Sequence, residues 1–418
     1  MKKFVALLIV LCVVFGLCIG YRAVPINGVA LTDDAAELDA AAPAEDNAAP
    51  AEALPGIDAE AEAEAETQED NTAAEYAALY AIHEPDYVVA SIDGRDVTWA
   101  DYYYFLHFQA QQMSNYFAQM ANYYEMDVGW QDEYETGLSF EDFAVDNTES
   151  MLRELYGIEK YAAEHDNELD AEDEETLQAQ RESDIVSVCG EGATEEDFAE
   201  ALKIMYISDE LYTRLNACNI LYIEGFEREY GAQGELMDEA EAVRFLEDNG
   251  YLAANHILFL TTDSETGEEL SEEEIAEKRA QAEELVEELR AIDDVDARLA
   301  RFAELKSEYD EDTGKTGYPE GYVFTEGTMV SEFEDAVKAL GDYEVSDPVL
   351  SNYGYHVIMR LPHGAGRTVQ YLNNGTPVDA RYLSASSKYT NDMQSLYASL
   401  EIDYAEDFEQ IKLSEYMK

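Results

Sequence analysis

Two histidines, His256 and His356, stand one hundred residues apart, each inside an apolar, strand-like run. The first lies in Ala-Ala-Asn-His-Ile-Leu-Phe (253–259), the second in Gly-Tyr-His-Val-Ile-Met-Arg-Leu (354–361). A lone imidazole in such a run is hard to explain, because a buried polar group needs a partner. A neutral imidazole donates from one ring nitrogen and accepts at the other. Two of them can share a hydrogen bond and orient an acidic group. Taken singly, each histidine also has a plainer reading as a structural core residue.

The segments between them carry more. Ser-Glu-Tyr-Asp-Glu-Asp-Thr-Gly spans 307–314, and Phe-Thr-Glu-Gly-Thr-Met-Val-Ser-Glu-Phe-Glu-Asp-Ala spans 324–336. The stretch ends in Ser-Asp-Pro-Val-Leu-Ser-Asn-Tyr followed by the second histidine motif. In order and spacing, residues 250–363 resemble a parvulin-type peptidyl-prolyl cis/trans isomerase, or rotamase. The resemblance implies catalytic roles for His256, Asp312 and His356, and a proline pocket lined by Phe324, Met329 and Phe333. The bland alternatives are a solvated loop carboxylate for Asp312 and ordinary core for Met329 and Phe333. Where the family usually has Gly-Gly-x-Leu-Gly, this chain has Gly317-Tyr318-Pro319-Glu320-Gly321. Tyr318 and Pro319 replace flexible glycines and alter the pocket rim.

Rotation about an Xaa-Pro bond crosses a high barrier because the amide loses resonance as it twists. Uncatalysed, it takes tens to hundreds of seconds. A site for it needs an apolar pocket for the ring, exclusion of water and polar groups that favour the twisted amide. No cofactor is implied.

The elements that must hold these groups are legible. A strand is expected over 255–261 and a turn at Asp263–Gly267. A helix then starts at Ser271, with Glu274 completing a capping box, and runs to about 292. A helix over 294–308, a Gly-rich loop, a strand at 322–325, a helix at 331–340 and strands near 347–350 and 353–361 follow. This is the βα3βαβ2 order that the resemblance implies.

Upstream, 88–92 reads as a strand, Asp93-Gly94 as a turn, and Thr98 as the cap of a helix over 99–124. This arrangement resembles the start of the chaperone region in extracytoplasmic foldases of the PrsA and SurA type. The 99–124 helix is crowded with Tyr, Phe and Met, which can form core or a surface for unfolded chains. Amphipathic patterns place further helices at 140–166, 170–182, 194–217, 219–231 and 237–248. A helix is also expected at 389–400.

The whole therefore reads as α+β. Residues 1–30 form a signal peptide or membrane anchor, and 31–84 a disordered acidic Ala/Glu-rich linker. A largely helical chaperone lobe spans 85–249 and the isomerase domain 250–363. The resemblance implies that 364–418 packs back on the lobe. Met1-Lys2-Lys3 followed by an uncharged run from Phe4 to Tyr21 is an export signal. It admits an uncleaved anchor, cleavage after Gly28-Val29-Ala30, or lipidation at Cys18. Each places the remainder outside the cytoplasm.

The formal charge of −68, from 93 acidic and 25 basic residues, argues against nucleic-acid partners and against anionic membrane surfaces. Membrane contact is expected only through the N-terminal segment. Cys189 and Cys218 can pair in an oxidising compartment, but no metal-ligand spacing surrounds them. There is no Gly-x-Ser-x-Gly elbow, P-loop or His-Glu-x-x-His, and Glu268 blocks a calcium-loop reading of 263–274. The expected partners are unfolded or partly folded exported polypeptides with Xaa-Pro bonds. The expected function is isomerase and folding chaperone. A non-catalytic binder retaining the parvulin fold and a surface interaction protein are the rivals.

Overall fold

The computed structural model describes residues 73–417, apart from Glu265, Asn373 and Asn374. The expected signal segment 1–30 and most of the expected linker lie outside the described residues. In chain order the elements are α1 (73–80), β1 (Val88–Ile92), β2 (Arg95–Thr98), α2 (Trp99–Tyr124), β3 (Glu133–Glu135) and β4 (Leu138–Ser139). Then come α3 (Phe140–Glu164), α4 (Ala171–Cys189), α5 (Glu195–Ile204), α6 (Asp209–Tyr230) and α7 (Glu239–Asp248). The third group is β5 (Leu252–Leu260), α8 (Glu272–Arg290), α9 (Val295–Tyr309), a 3-10 turn (Thr313–Thr316), β6 (Tyr322–Phe324), α10 (Ser331–Ala339), β7 (Val349–Leu350) and β8 (Gly354–Arg360). Last come β9 (Thr368–Tyr371), β10 (Pro377–Asp379), α11 (Ala380–Ser399), β11 (Ile402–Tyr404) and α12 (Leu413–Tyr416). The class is α+β, as expected.

The chain divides into two compact units. One is the contiguous stretch Phe226–Lys388; the other joins the chain up to Gly225 with the chain from Tyr389. In the contiguous unit, an antiparallel sheet of order β6-β5-β8-β7 carries helices α8, α9 and α10. The capping box is present: Ser271 accepts from the Glu274 N–H while the Glu274 side chain accepts from the Ser271 N–H. Between β5 and β6 stand two long helices and the 3-10 turn rather than three full helices. β5 is central and almost wholly buried. β8 begins at Gly354 with φ +149°, where a side chain would collide with the Phe259 carbonyl; only glycine lets the strands approach there.

The split unit contains a three-stranded antiparallel sheet, β11-β1-β2, in which Ser91 pairs with Asp403. Thr98 caps α2 by accepting from the Asp101 N–H at 3.2 Å. The first half of α2 is core, with Trp99, Tyr102, Tyr103, Tyr104, Phe105 and Leu106 all buried. Each such side chain stabilises the unit by roughly 1.5–3 kcal/mol. The second half differs: Tyr116, Tyr123 and Tyr124 are exposed, as is Met126 just beyond it. The core reading of this helix therefore holds for its first half, and the second half is exposed.

Four expectations are corrected. Residues 73–80 are helical, with Tyr76 and Leu79 buried, so the acidic linker cannot extend to 84. Tyr103 donates to the Tyr76 carbonyl at 2.6 Å and Trp99 to the Tyr80 carbonyl at 2.7 Å. These aromatic groups supply the apolar surface that the upstream Ala/Glu run lacks. The helix expected at 194–217 breaks at Tyr206, which adopts a left-handed φ of 57°, and Ser208 accepts from the Leu211 N–H to restart it. The chain then continues helical through Asn219. α4 runs past 182 because the first breaker is Gly190, at φ +97°. The C-terminal segment is itself divided: β9 and β10 belong to the contiguous unit, and only the chain from Tyr389 joins the split one. Among the described residues no helix is long and apolar enough to cross a membrane.

Candidate active site

Strand register brings the two histidines together. Across β5 and β8, His256 faces Ile358 and His356 faces Leu258, so the imidazoles are diagonal neighbours on one face of the sheet. Diagonal side chains in such a pair are within reach of long or aromatic groups. The two Nδ1 atoms lie 3.0 Å apart, and the rings stack with centroids 5.2 Å apart.

Asp312 reaches the pair because of a backbone requirement. β6 pairs only with residues 252–254 of β5, leaving the later N–H groups of that edge without a strand. Buried backbone groups must find partners. The loop after α9 supplies them: Asp310 accepts from the Leu258 N–H at 2.9 Å and Glu311 from the Leu260 N–H at 2.8 Å. The Glu311 N–H donates back to the Leu258 carbonyl at 3.0 Å. This loop stands in for a strand, and its next residue is Asp312. Its Oδ2 lies 3.0 Å from His256 Nε2.

Burial pushes the Asp312 carboxyl up, but hydrogen bonds from His256 and Tyr322, and then the Gly314 N–H, outweigh it and hold the group well below the ordinary carboxylate range. It is therefore ionised at neutral pH and can only accept. A neutral His256 beside it sets the direction of the bonds behind. In that form His256 donates from Nε2 to Asp312 and its Nδ1 accepts from His356 Nδ1. His356 Nε2 then accepts from the Ser351 hydroxyl, 2.7 Å away. Ser351 Oγ in turn accepts from the Tyr353 N–H at 3.1 Å. Burial, followed by the neighbouring His256, lowers His356 to about 3, with Asp312 opposing. His356 is thus a neutral imidazole at physiological pH.

The apolar floor lies beside this chain of bonds. Phe333 sits edge-on to both imidazoles, with centroids 5.3 Å from His256 and 5.6 Å from His356. Phe324 is 5.8 Å from Phe333 and buried with Ala254, Val337 and Ile358. Met329 packs on the same cluster but stays half-buried. All six residues singled out from the sequence are therefore in one neighbourhood, with Phe324 as the deepest. Sequence reasoning missed Tyr322, Ser351 and Asp310. Tyr322 was findable, since it is two residues before Phe324 and shares its face of the strand. At the rim, Tyr318 packs on Tyr322 at 4.8 Å, and Tyr371 of β9 donates to the Gly317 carbonyl at 2.5 Å. Among the described residues no group of three or more His, Cys, Asp or Glu could hold a metal ion.

Residues 256–361 match the rotamase family model, described as a PPIC-type PPIase domain. The chain carries a rotamase domain. It is also similar to curated foldases. Foldase protein PrsA 1 of Bacillus cereus is 54% identical over 59 residues, 14% of this chain and 20% of that one. Foldase protein PrsA of Oceanobacillus iheyensis is 29% identical over 215 residues, 51% of this chain and 59% of that one. The chain thus spans only part of the length of the curated relatives it matches. A crystal structure of PrsA from Bacillus subtilis aligns at 18% identity over 75% of this chain and 91% of that one, with a TM-score of 0.23. By the match of residues 256–361 and its similarity to the curated foldases, the chain resembles the parvulin-type foldases.

Proposed function

We propose that the protein is a peptidyl-prolyl cis/trans isomerase and folding chaperone acting outside the cytoplasm on unfolded, exported polypeptides. His256, Asp312 and His356 serve as the catalytic set, and Phe324, Met329 and Phe333 as the proline-ring pocket. The observation that carries the reading is the continuous hydrogen-bonded chain Asp312–His256–His356–Ser351 lying against the Phe333 ring. No covalent bond is made or broken in the reaction, so the site acts by shape and polarity. The apolar cluster takes the pyrrolidine ring out of water. The imidazole pair, oriented by Asp312, presents fixed dipoles to the amide as it loses planarity. Such preorganised groups are worth more in a dry site than in water.

The chaperone half of the reading rests on the distal part of α2 and the residues beyond it, where Tyr123, Tyr124, Met126 and Tyr134 are exposed. Aromatic and Met side chains left in solvent can contact apolar segments of an unfolded chain. The strongly negative remainder of the chain would keep a loaded complex in solution. In this reading residues 1–30 direct export or anchor the chain, the acidic stretch ahead of α1 is a tether, and no nucleic acid is bound.

A second reading, binding without catalysis, is favoured by one feature. Tyr318 and Pro319 stiffen a rim that is glycine-rich in the resembled family, and Tyr318 is packed on Tyr322. The test is isomerisation of an Ala-Pro peptide by the chain. Acceleration that disappears in His356→Ala supports catalysis; a folded, peptide-binding protein without acceleration leaves only the binding reading.

A further inference from the structure

We infer that Tyr322 is a positioning residue for the isomerase reaction, made possible by the absence of a side chain at position 314. The inference rests on the proposed isomerase reading and concerns the end of the hydrogen-bonded chain farthest from Ser351. A carboxylate that orients an imidazole through a single bond can rotate about its own χ2 and lose its aim. Asp312 does not have that freedom. Its Oδ1 accepts from the Gly314 N–H at 2.9 Å. Its Oδ2 accepts from the Tyr322 hydroxyl at 2.5 Å as well as from His256. Both oxygens are thus held from one side, and Oδ2 is left aimed at Nε2.

Two further observations single out the tyrosine. Burial, followed by its bond to Asp312, raises the Tyr322 phenol, so it remains a donor throughout the working pH range. Its ring also stands edge-on to His256 at 5.6 Å, so the same residue flanks the imidazole and fixes its partner. Gly314 completes the device. A methyl group there would strike the Tyr322 hydroxyl oxygen and press within 3.3 Å of Asp312 Oδ1. Gly314 lacks the positive φ that usually explains a glycine; space for the hydroxyl explains it instead.

The experiment uses the full chain with 15N-labelled histidine, His256 being assigned against His256→Gln. In the wild type, His256 is expected as the Nε2–H tautomer alone. Tyr322→Phe keeps the ring and removes the hydroxyl. It should release His256 into tautomer exchange and lower kcat about tenfold, the effect of losing one charge-assisted hydrogen bond, while KM holds because the apolar pocket is untouched. Gly314→Ala should give the same signature with Tyr322 intact. The double variant should be no worse than either single one, because both break the same contact. A Tyr322→Phe protein with a locked tautomer and full kcat overturns the inference, as does additive damage in the double variant. If the wild type does not accelerate isomerisation at all, the isomerase reading falls, and the tautomer measurement alone decides whether Tyr322 holds Asp312 in aim.

Discussion

Two histidine environments in this molecule have almost the same burial and opposite character. His107, in α2, is enclosed by the rings of Tyr76, Tyr103 and Tyr206, with centroids 4.5, 5.9 and 4.9 Å away. Burial alone lowers it to about 4. His256 and His356 are equally buried, yet they form the middle of a chain of polar groups that begins at an ionised carboxylate. Burial of an imidazole is therefore no mark of a site. What distinguishes the pair is register, which sets two imidazoles diagonal to each other, and a loop that must satisfy a bare strand edge and so delivers Asp312.

The largest expected effect tests that distinction directly. His256→Ala or His356→Ala should lower kcat/KM for an Ala-Pro peptide by roughly 10²–10³, the range for losing one preorganised polar group. His107→Phe should leave kcat/KM unchanged. A protease-coupled isomerisation assay on folded variants makes the comparison, and equal losses at all three positions would erase it.

The next effect is on stability against pH. His107 and His356 have lowered folded pKa values, so the unfolded chain binds more protons than the folded one once pH falls below about 6.5. Stability should decline from there as acid is added, until about 4 for His107 and about 3 for His356. Removing the first group by His107→Phe should recover about 2–3 kcal/mol at pH 4 relative to pH 7. Urea unfolding at the two pH values measures it; an unchanged pH slope would mean that His107 is protonated in the folded state.

Smaller still, Ser351→Ala should cost about 1 kcal/mol, the net value of an ordinary hydrogen bond, and slow isomerisation several-fold by freeing His356 Nε2. The smallest stability change belongs to the exposed end of α2. Tyr123→Ser with Tyr124→Ser should shift unfolding by no more than about 0.5 kcal/mol, yet abolish suppression of client aggregation measured by light scattering. Isomerase activity should persist. A folded double variant that still suppresses aggregation would remove α2 from the chaperone reading.

The contrast between the two units also explains what could be read from the residues alone. The order of elements in 252–360 was legible because caps, turns and period-2 runs are local signals, and the Ser271/Glu274 box lies where its pattern places it. The meeting of His256, Asp312 and His356 was legible only through resemblance, since register is not a local property. Ser351 and Tyr322 were passed over because a serine in a turn and a tyrosine on a short strand are ordinary; their partners define them. The break at Tyr206 was hidden because no Gly or Pro marks it. α1 was missed because Tyr76, Leu79 and Tyr80 follow directly on a long acidic, alanine-rich run that dominates the composition of their surroundings.

The split of one unit around the other has a consequence for the order of assembly. Ser91 on β1 pairs with Asp403 on β11, so the small sheet of that unit stays incomplete until Tyr404 has emerged. Contacts of such long sequence separation form slowly, because the intervening chain must be closed before they are gained. The rotamase-bearing stretch has no such wait: β5, β6 and β8 are all available once Arg360 has appeared. During vectorial synthesis the unit that carries the histidine pair can thus mature first.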